Sequence, residues 1–163
     1  MATQTLTLET RRASLSDASS MSRLSMQLGY DSTELTMRQR MIRVRDDVAH
    51  AVFVAALEGD EVVGWVHVTL RNTLWSEPFA EIVGLVVDTN HRRLGVGRAL
   101  VERVVAWSEA MHVQDLRARA QEHREDALAF YEGLGFELYK EQQVYRRVFE
   151  PAADPGGMPT LVD

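Results

Sequence analysis

The sequence contains no cysteine and a single lysine, Lys140. Without cysteine, the chain has no disulfide, no thiolate metal ligand and no cysteine nucleophile. A phosphate-loop nucleotide site requires a Gly-Lys-Ser/Thr sequence, which a chain with this one lysine does not contain. The scarcity of lysine also excludes most reactions that proceed through a Schiff base on a lysine side chain.

The histidines are few and scattered. The five of them stand at positions 50, 67, 91, 112 and 123, and no two have the i, i+4 spacing of a helical zinc site. We therefore expect no metal cofactor.

Long apolar runs and an excess of positive charge are also missing. No run approaches the roughly 18 apolar residues that a membrane span needs, and residues 1–12 alternate polar and apolar side chains rather than forming a signal peptide. The formal net charge of -6 disfavours nucleic acid and anionic membranes as partners. The expectation is a cytoplasmic protein that binds neither.

What is present is the composition of one folded domain. Of the 163 residues, 45 % are hydrophobic and 26 % are charged, and a chain of this length can bury a substantial core. Residues 151–163 are rich in proline and glycine, which predicts a disordered tail after a domain that covers residues 1–150.

Hydrophobic periodicity predicts the order β, α, α, β, β, β, α, β, α, β, β. The predicted strands cover residues 5–11, 51–57, 62–70, 79–87, 113–120, 136–139 and 144–149, and the first is expected at an edge of the sheet. Ser16 is the predicted N-cap of the first helix, which Gly29 ends. In the second helix we expect Glu34 to pair with Arg38. The third helix follows Gly97, and the fourth covers residues 125–134.

The segment Arg92-Arg93-Leu94-Gly95-Val96-Gly97-Arg98 lies between a predicted strand and a predicted helix. Its glycines allow a tight turn, and the backbone N–H groups at a helix start favour an anion, which the three arginines reinforce. The expected ligand is a phosphate or pyrophosphate. It is not the dinucleotide fingerprint, because Leu100 stands where the third glycine would be.

A second motif is Ala127-Leu128-Ala129-Phe130-Tyr131-Glu132-Gly133-Leu134-Gly135-Phe136. Alone, it is equally an ordinary helix that buries Phe130 and Leu134 and ends at Gly135. Together, the two motifs resemble the signature regions of the GNAT acetyltransferase superfamily, and the predicted element order is similar to its fold over residues 5–149.

The resemblance implies a fold and a co-substrate. The fold is α/β of the α+β kind, with a mixed, mostly antiparallel sheet of about seven strands, helices on both faces, and strands four and five splayed apart. The co-substrate is acetyl-CoA, whose pyrophosphate would bind the backbone of residues 93–98. Its pantetheine arm and thioester carbonyl would bind backbone groups of Leu85, Val86 and Val87.

The resemblance also assigns two catalytic side chains. Tyr131 would protonate the departing CoA thiolate. Glu81 precedes Gly95 by 14 residues, a spacing similar to that of the glutamate base in the histone acetyltransferase branch. The alternative for Glu81 is a structural carboxylate paired with an arginine, and the alternative base is His67.

Arg124 departs from the family pattern, because many members carry asparagine seven residues before the tyrosine. It resembles the His-Arg-x-x-Ala-x-x-Phe-Tyr pattern of small-molecule acetyltransferases, where it would contact CoA or an acidic group of the acceptor; otherwise it is a solvated arginine. Residues 27–30 correspond to the family's acceptor region, so Tyr30, Trp65, His67 and Trp75 are candidate acceptor contacts.

The sequence predicts an acetyl-CoA-dependent N-acetyltransferase that transfers acetyl directly to a primary amine, because no cysteine is present to form an acyl-enzyme. The acceptor is expected to be a small molecule. A protein or peptide acceptor and a non-catalytic acyl-CoA-binding module remain alternatives. Dimerisation is common in the family, but no residue of this sequence marks an interface.

Overall fold

A computed structural model describes residues 7–120 and 125–150 of the chain. The chain divides into two units, Met1–Gln121 and Glu122–Asp163. Thr5 and Leu6 of the predicted first strand, Arg124, and the predicted tail at 151–163 lie outside the described residues.

The first unit contains five strands and three helices. The strands are β1 (Leu8–Arg12), β2 (His50–Leu57), β3 (Glu61–Arg71), β4 (Phe79–Val87) and β5 (Leu116–Ala118). The helices are α1 (Ala18–Gln27), α2 (Glu34–Arg45) and α3 (Val96–Ala110), with short 3-10 turns at Leu15–Asp17 and Thr89–His91. In the second unit, α4 covers Glu125–Glu132, two residues shorter than predicted.

The five strands form one mixed sheet in the order β1-β2-β3-β4-β5. The pairs from β1 to β4 are antiparallel, and β4 pairs with β5 in parallel. The predicted fold class and the edge position of β1 are therefore confirmed.

The sheet has five strands within the described residues, where about seven were expected. No strand occurs in the described residues from 133 to 150, so the expected hairpin at 136–139 and 144–149 is absent there. The apolar side chains from residue 138 onward in this stretch are exposed, Val144 by 80 % and Tyr145 by 87 %. A β-prone composition is not sufficient for a strand, because a strand also needs a neighbour to share its hydrogen bonds and a surface to pack against.

The splay between β4 and β5 is confirmed. β5 pairs only with Ala80–Ile82 of β4. At that point the ladder between β3 and β4 shifts register, since His67 faces Gly84 and Val68 faces Ile82, which leaves Val83 as the extra residue of a bulge. From Val83 to Val87, β4 has no strand partner on its β5 side within residues 7–120.

Helices cover both faces of the sheet. Trp65 of β3 donates a hydrogen bond from Nε1 to Ser25 Oγ of α1 at 3.2 Å. Its neighbour Gly64 points to α3, where an added Cβ would lie 2.9 Å from Cγ1 of Val96. Since adjacent residues of a strand point to opposite faces, α1 and α3 lie on opposite sides, as predicted.

The core between the sheet and the first two helices is apolar and closely packed. Its buried residues are Ala18, Met21, Leu24, Met37, Met41, Val54, Val62 and Val86. On the other face, α3 buries Leu100, Val104 and Trp107 along the predicted stripe. Among the described residues, no helix is long and apolar enough to cross a membrane.

Two local predictions were wrong. Ser16 is not the N-cap of α1, because the chain first forms the 3-10 turn and Asp17 takes the N-cap position. The Asp17 carboxylate accepts hydrogen bonds from Arg11, at 2.7 and 2.8 Å, and from Ser14 N–H at 2.8 Å, and it makes no capping bond to α1. Glu34 and Arg38 form no ion pair within the described residues; Thr33 and Thr36 cap α2 instead.

The contact at Gly64 leads to a stability prediction. An alanine side chain there would also lie 3.0 Å from the Val86 carbonyl and 3.1 Å from Leu100 Cδ1. We expect Gly64→Ala to lower the free energy of unfolding by about 1–3 kcal/mol, measured by urea denaturation. Combining it with Val96→Ala should recover part of the loss. The pair Gly29→Ala and Val96→Ala should be additive, and strict additivity in both pairs would contradict this explanation.

Candidate active site

The turn between β4 and α3 presents unpaired backbone donors. Gly95 is the N-cap of α3 with φ of 82°, and Arg93 also has a positive φ of 66°. The first hydrogen bond of the helix runs from Ala99 N–H to the Gly95 carbonyl. Within the described residues, the N–H groups from 93 to 98 therefore donate to no protein acceptor.

Positive charge surrounds these donors. The first turn of α3 carries no acidic residue. Arg92, Arg93 and Arg98 are exposed, and Arg98 lies 3.7 Å from Glu102, one turn further along the helix. Free N–H groups, the positive end of the helix and three guanidinium groups together favour a phosphate or pyrophosphate.

The buried carboxylate of Asp88 stabilises this turn through hydrogen bonds. Asp88 accepts hydrogen bonds from Asn90 N–H at 3.1 Å and Gln27 Nε2 at 3.3 Å, and its other oxygen lies 3.0 Å from Nδ1 of His91. Burial opposes its charge, but these bonds outweigh burial and hold the pKa of Asp88 below its usual value. Gln27 also accepts from Thr89 N–H at 3.0 Å, which ties the end of α1 to the turn. Sequence reasoning missed this network.

Glu81 lies on β4 where β5 is still paired, opposite Thr69 of β3 and Arg117 of β5. It is 4 % exposed. Its Oε2 is 3.1 Å from Nε of Arg119, and its Oε1 is 4.0 Å from Nε of Arg71. The Glu81 carboxylate is therefore buried and paired with arginine. The two arginines stand on flanking segments far apart in sequence, so no local signal identified them.

His67 shares a sheet face with Glu81, because Thr69 faces Glu81 and His67 lies two residues before Thr69. Nε2 of His67 is 2.9 Å from Nδ1 of His50. Burial, and then the neighbouring His50, lower the pKa of His67 to about 4. His67 is therefore a neutral ring with one nitrogen already engaged, and sequence reasoning missed its partner His50.

The other candidate acceptor contacts separate into two groups. Trp65 packs against the core below α1. Tyr30 and Trp75 are exposed, by 52 % and 82 %. Only Trp65 and His67 are placed on the same face as Glu81 by the strand register.

In the second unit, Tyr131 lies on α4 and contacts two other rings. Its ring centroid is 5.1 Å from that of Phe130 and 5.3 Å from that of Phe136, both edge-on. Burial raises the pKa of the Tyr131 hydroxyl, which keeps the group protonated at neutral pH. Gly135, with φ of 89°, turns the chain after the helix as predicted.

Comparisons with solved structures match this mixed sheet and its helices to the fold of known N-acetyltransferases. An aminoglycoside antibiotic 6'-N-acetyltransferase, AAC(6')-Ih from Acinetobacter baumannii, matches 88 % of this chain and 100 % of its own, with a TM-score of 0.76 at 18 % identity. Glucosamine-6-phosphate N-acetyltransferase from Arabidopsis thaliana matches 86 % of this chain and 98 % of its own, with a TM-score of 0.75 at 19 % identity.

Sequence comparison identifies the family. Residues 19–136 match the acetyltransferase (GNAT) family. The chain is also 29 % identical, over 147 residues, to aminoglycoside N(6')-acetyltransferase type 1 of Stenotrophomonas maltophilia, which covers 88 % of this chain and 95 % of that protein. The chain belongs to the GNAT family and is an acetyl-CoA-dependent N-acetyltransferase.

The histidine pair yields a pH prediction. An unfolded histidine titrates near 6.5, and the pKa of His67 in the folded protein is about 4. As pH falls from 6.5 to 4, the unfolded state binds the proton first, so His67 should lower the stability of the fold across this range. We expect its NMR titration midpoint near 4 and, in His50→Gln, a higher midpoint. A wild-type midpoint near 6.5 would show that the ring is solvated.

Proposed function

We propose that the protein acetylates a small-molecule primary amine by direct transfer from acetyl-CoA within a ternary complex. The observation that carries the proposal is the open edge of β4 leading to the free N–H groups at the start of α3. Relatives named for aminoglycosides and for glucosamine 6-phosphate support a small amine as the acceptor.

The pyrophosphate of acetyl-CoA is proposed to bind the turn that starts α3. The backbone of Arg93, Leu94, Gly95, Val96, Gly97 and Arg98 would supply N–H donors, and the side chains of Arg92, Arg93 and Arg98 would supply charge. Arg124, which is also proposed to contact CoA, lies outside the described residues.

The pantetheine arm is proposed to lie along β4. Leu85, Val86 and Val87 are in the part of the strand that has no β5 neighbour within residues 7–120. An extended amide chain can pair with such an open edge in the way that another strand would. The same edge would orient the thioester carbonyl beside Glu81.

We assign the proton acceptor to Glu81 and the proton donor to Tyr131. The amine nitrogen attacks the thioester carbonyl carbon, and the carbon–sulfur bond breaks. Glu81, directly or through a water, takes the proton that the amine loses, and the Tyr131 hydroxyl protonates the departing thiolate. His67 is the weaker choice as base, because its Nε2 faces His50 and its pKa is about 4.

Gly97→Asp tests the cofactor position. An acidic residue in the first turn of a helix favours folding, but this carboxylate would repel the pyrophosphate. We expect CoA binding, measured by calorimetry, to fall below detection while the far-UV circular dichroism is unchanged. Gly59→Asp, in the β2–β3 turn, is the control with the same added charge. Equal CoA affinity in the two variants would overturn the assignment.

Tyr131→Phe tests the proton donor. The substitution keeps the ring and its edge-on contacts with Phe130 and Phe136, and it removes only the hydroxyl. We expect kcat to fall by about 10²-fold, with little change in acetyl-CoA affinity. Tyr145→Phe, at an exposed position, should retain the wild-type kcat. Full turnover by Tyr131→Phe would leave the ring with a packing role alone.

Glu81→Gln tests the base. It retains size and polarity but accepts no proton, so we expect kcat/KM at pH 7 to fall by about 10²-fold. The acidic limb of the pH profile that belongs to the enzyme should disappear, with the amine's own titration measured separately. Glu61→Gln, at the exposed start of β3, is the matched control. Near-normal rates in Glu81→Gln together with a loss in His67→Ala would transfer the role to His67.

A further inference from the structure

Two arginines cover the carboxylate that we propose as the base. Arg71 is the last residue of β3, and Arg119 follows the end of β5, so the guanidinium groups approach Glu81 from the strands on either side of β4. The side chain of Glu81 is 6 % exposed, whereas those of Arg71 and Arg119 are 49 % and 56 % exposed. The carboxylate therefore lies beneath a layer of positive charge that reaches solvent.

Among the described residues, the charges around Glu81 do not cancel. One carboxylate faces two guanidinium groups, which leaves a net charge of about +1 among these three side chains. The nearby Arg117 does not add to it, because its guanidinium lies 3.0 Å from Asp115 and stacks 3.7 Å above the centre of the Phe79 ring. An ammonium-rich acceptor would be repelled here, whereas an oxyanion would be attracted.

The two arginines are held unequally. Nε of Arg119 is at hydrogen-bond distance from Glu81, but Nε of Arg71 is at 4.0 Å, the outer limit of an ion pair. A guanidinium has five N–H donors in a planar fork that matches a carboxylate or phosphate. Arg71 can therefore turn to an incoming oxyanion with little loss, and its movement would uncover Oε1 of Glu81 for the amine.

We propose that the acceptor is an amine that also carries an oxyanion, either a carboxylate or a phosphate, and that Arg71 is the residue that selects it. The inference rests on the proposed function, because it places the acceptor amine beside Glu81. When Arg71 turns to bind the oxyanion, it also exposes Glu81 to the amine. An anionic amine would therefore be acetylated faster than a neutral or polycationic one.

Initial rates of thiol release with two matched pairs of amines test the inference. The phosphate pair is glucosamine 6-phosphate and glucosamine, and the carboxylate pair is β-alanine and β-alaninamide. We expect the wild-type protein to favour the charged member of one pair by at least about tenfold in kcat/KM, and that pair identifies the oxyanion. In Arg71→Gln the preference should fall to about one, and Arg71→Lys should retain part of it. Arg43→Gln, on the exposed face of α2, should leave the preference unchanged.

A binding measurement separates the inference from the proposed function. Glucose 6-phosphate and propionate carry the phosphate and the carboxylate but have no amine, so they cannot be N-acetylated. Calorimetry should detect binding of whichever one carries the oxyanion of the preferred pair. Its affinity for Arg71→Gln should be at least about tenfold lower than for the wild-type protein. Equal or better acetylation of neutral amines or kanamycin, unaffected by Arg71→Gln, would overturn the inference and leave the proposed function intact. If no amine gave thiol release, the proposed function would be refuted. The proposal that Arg71 selects the acceptor would then be refuted as well.

Discussion

The arrangement of the proposed site depends on the residue at which β4 stops pairing with β5. Up to Ile82 the strand is paired on both sides, and from Val83 onward its β5 side has no strand partner within residues 7–120. The extra residue of the bulge also changes which side chains share a face, so Glu81 and Val86 both point toward the α1 side. One local irregularity thus aligns the proposed base with an open backbone edge.

The two ends of the open β4 edge differ in the groups that attract an anion. At the end near α3, the donors are backbone N–H groups, and Asp88 supports them through Gln27, Asn90 and His91. At the other end, the charge comes from side chains, and Arg71 and Arg119 outnumber Glu81. Both ends favour anions, although the chain as a whole has a net charge of -6. Local placement, rather than overall charge, decides which ligand each end attracts.

The acceptors in the names of the relatives differ in charge from the acceptor proposed here. Proteins named for aminoglycosides match most of this chain, yet the described surroundings of Glu81 suit an anionic amine better than a polycation. This difference is understandable, because a fold conserves the machinery for the shared donor while a few side chains around the acceptor determine its specificity.

The sequence by itself determined the mixed fold, the glycine-containing turn that starts α3 and the positions of Glu81 and Tyr131 in their motifs. These features depend on local periodicity, on glycine at a positive φ, and on the dipole of a helix start, all of which are written in neighbouring residues. The tertiary structure alone decided that Arg71 and Arg119 meet at Glu81, that His50 engages His67, and that residues 136–149 form no hairpin among the described residues. The first two outcomes depend on which strands pair and in which register, and the third depends on whether a β-prone segment finds a neighbouring strand and a surface to pack against. Short-range patterns carry no information about either.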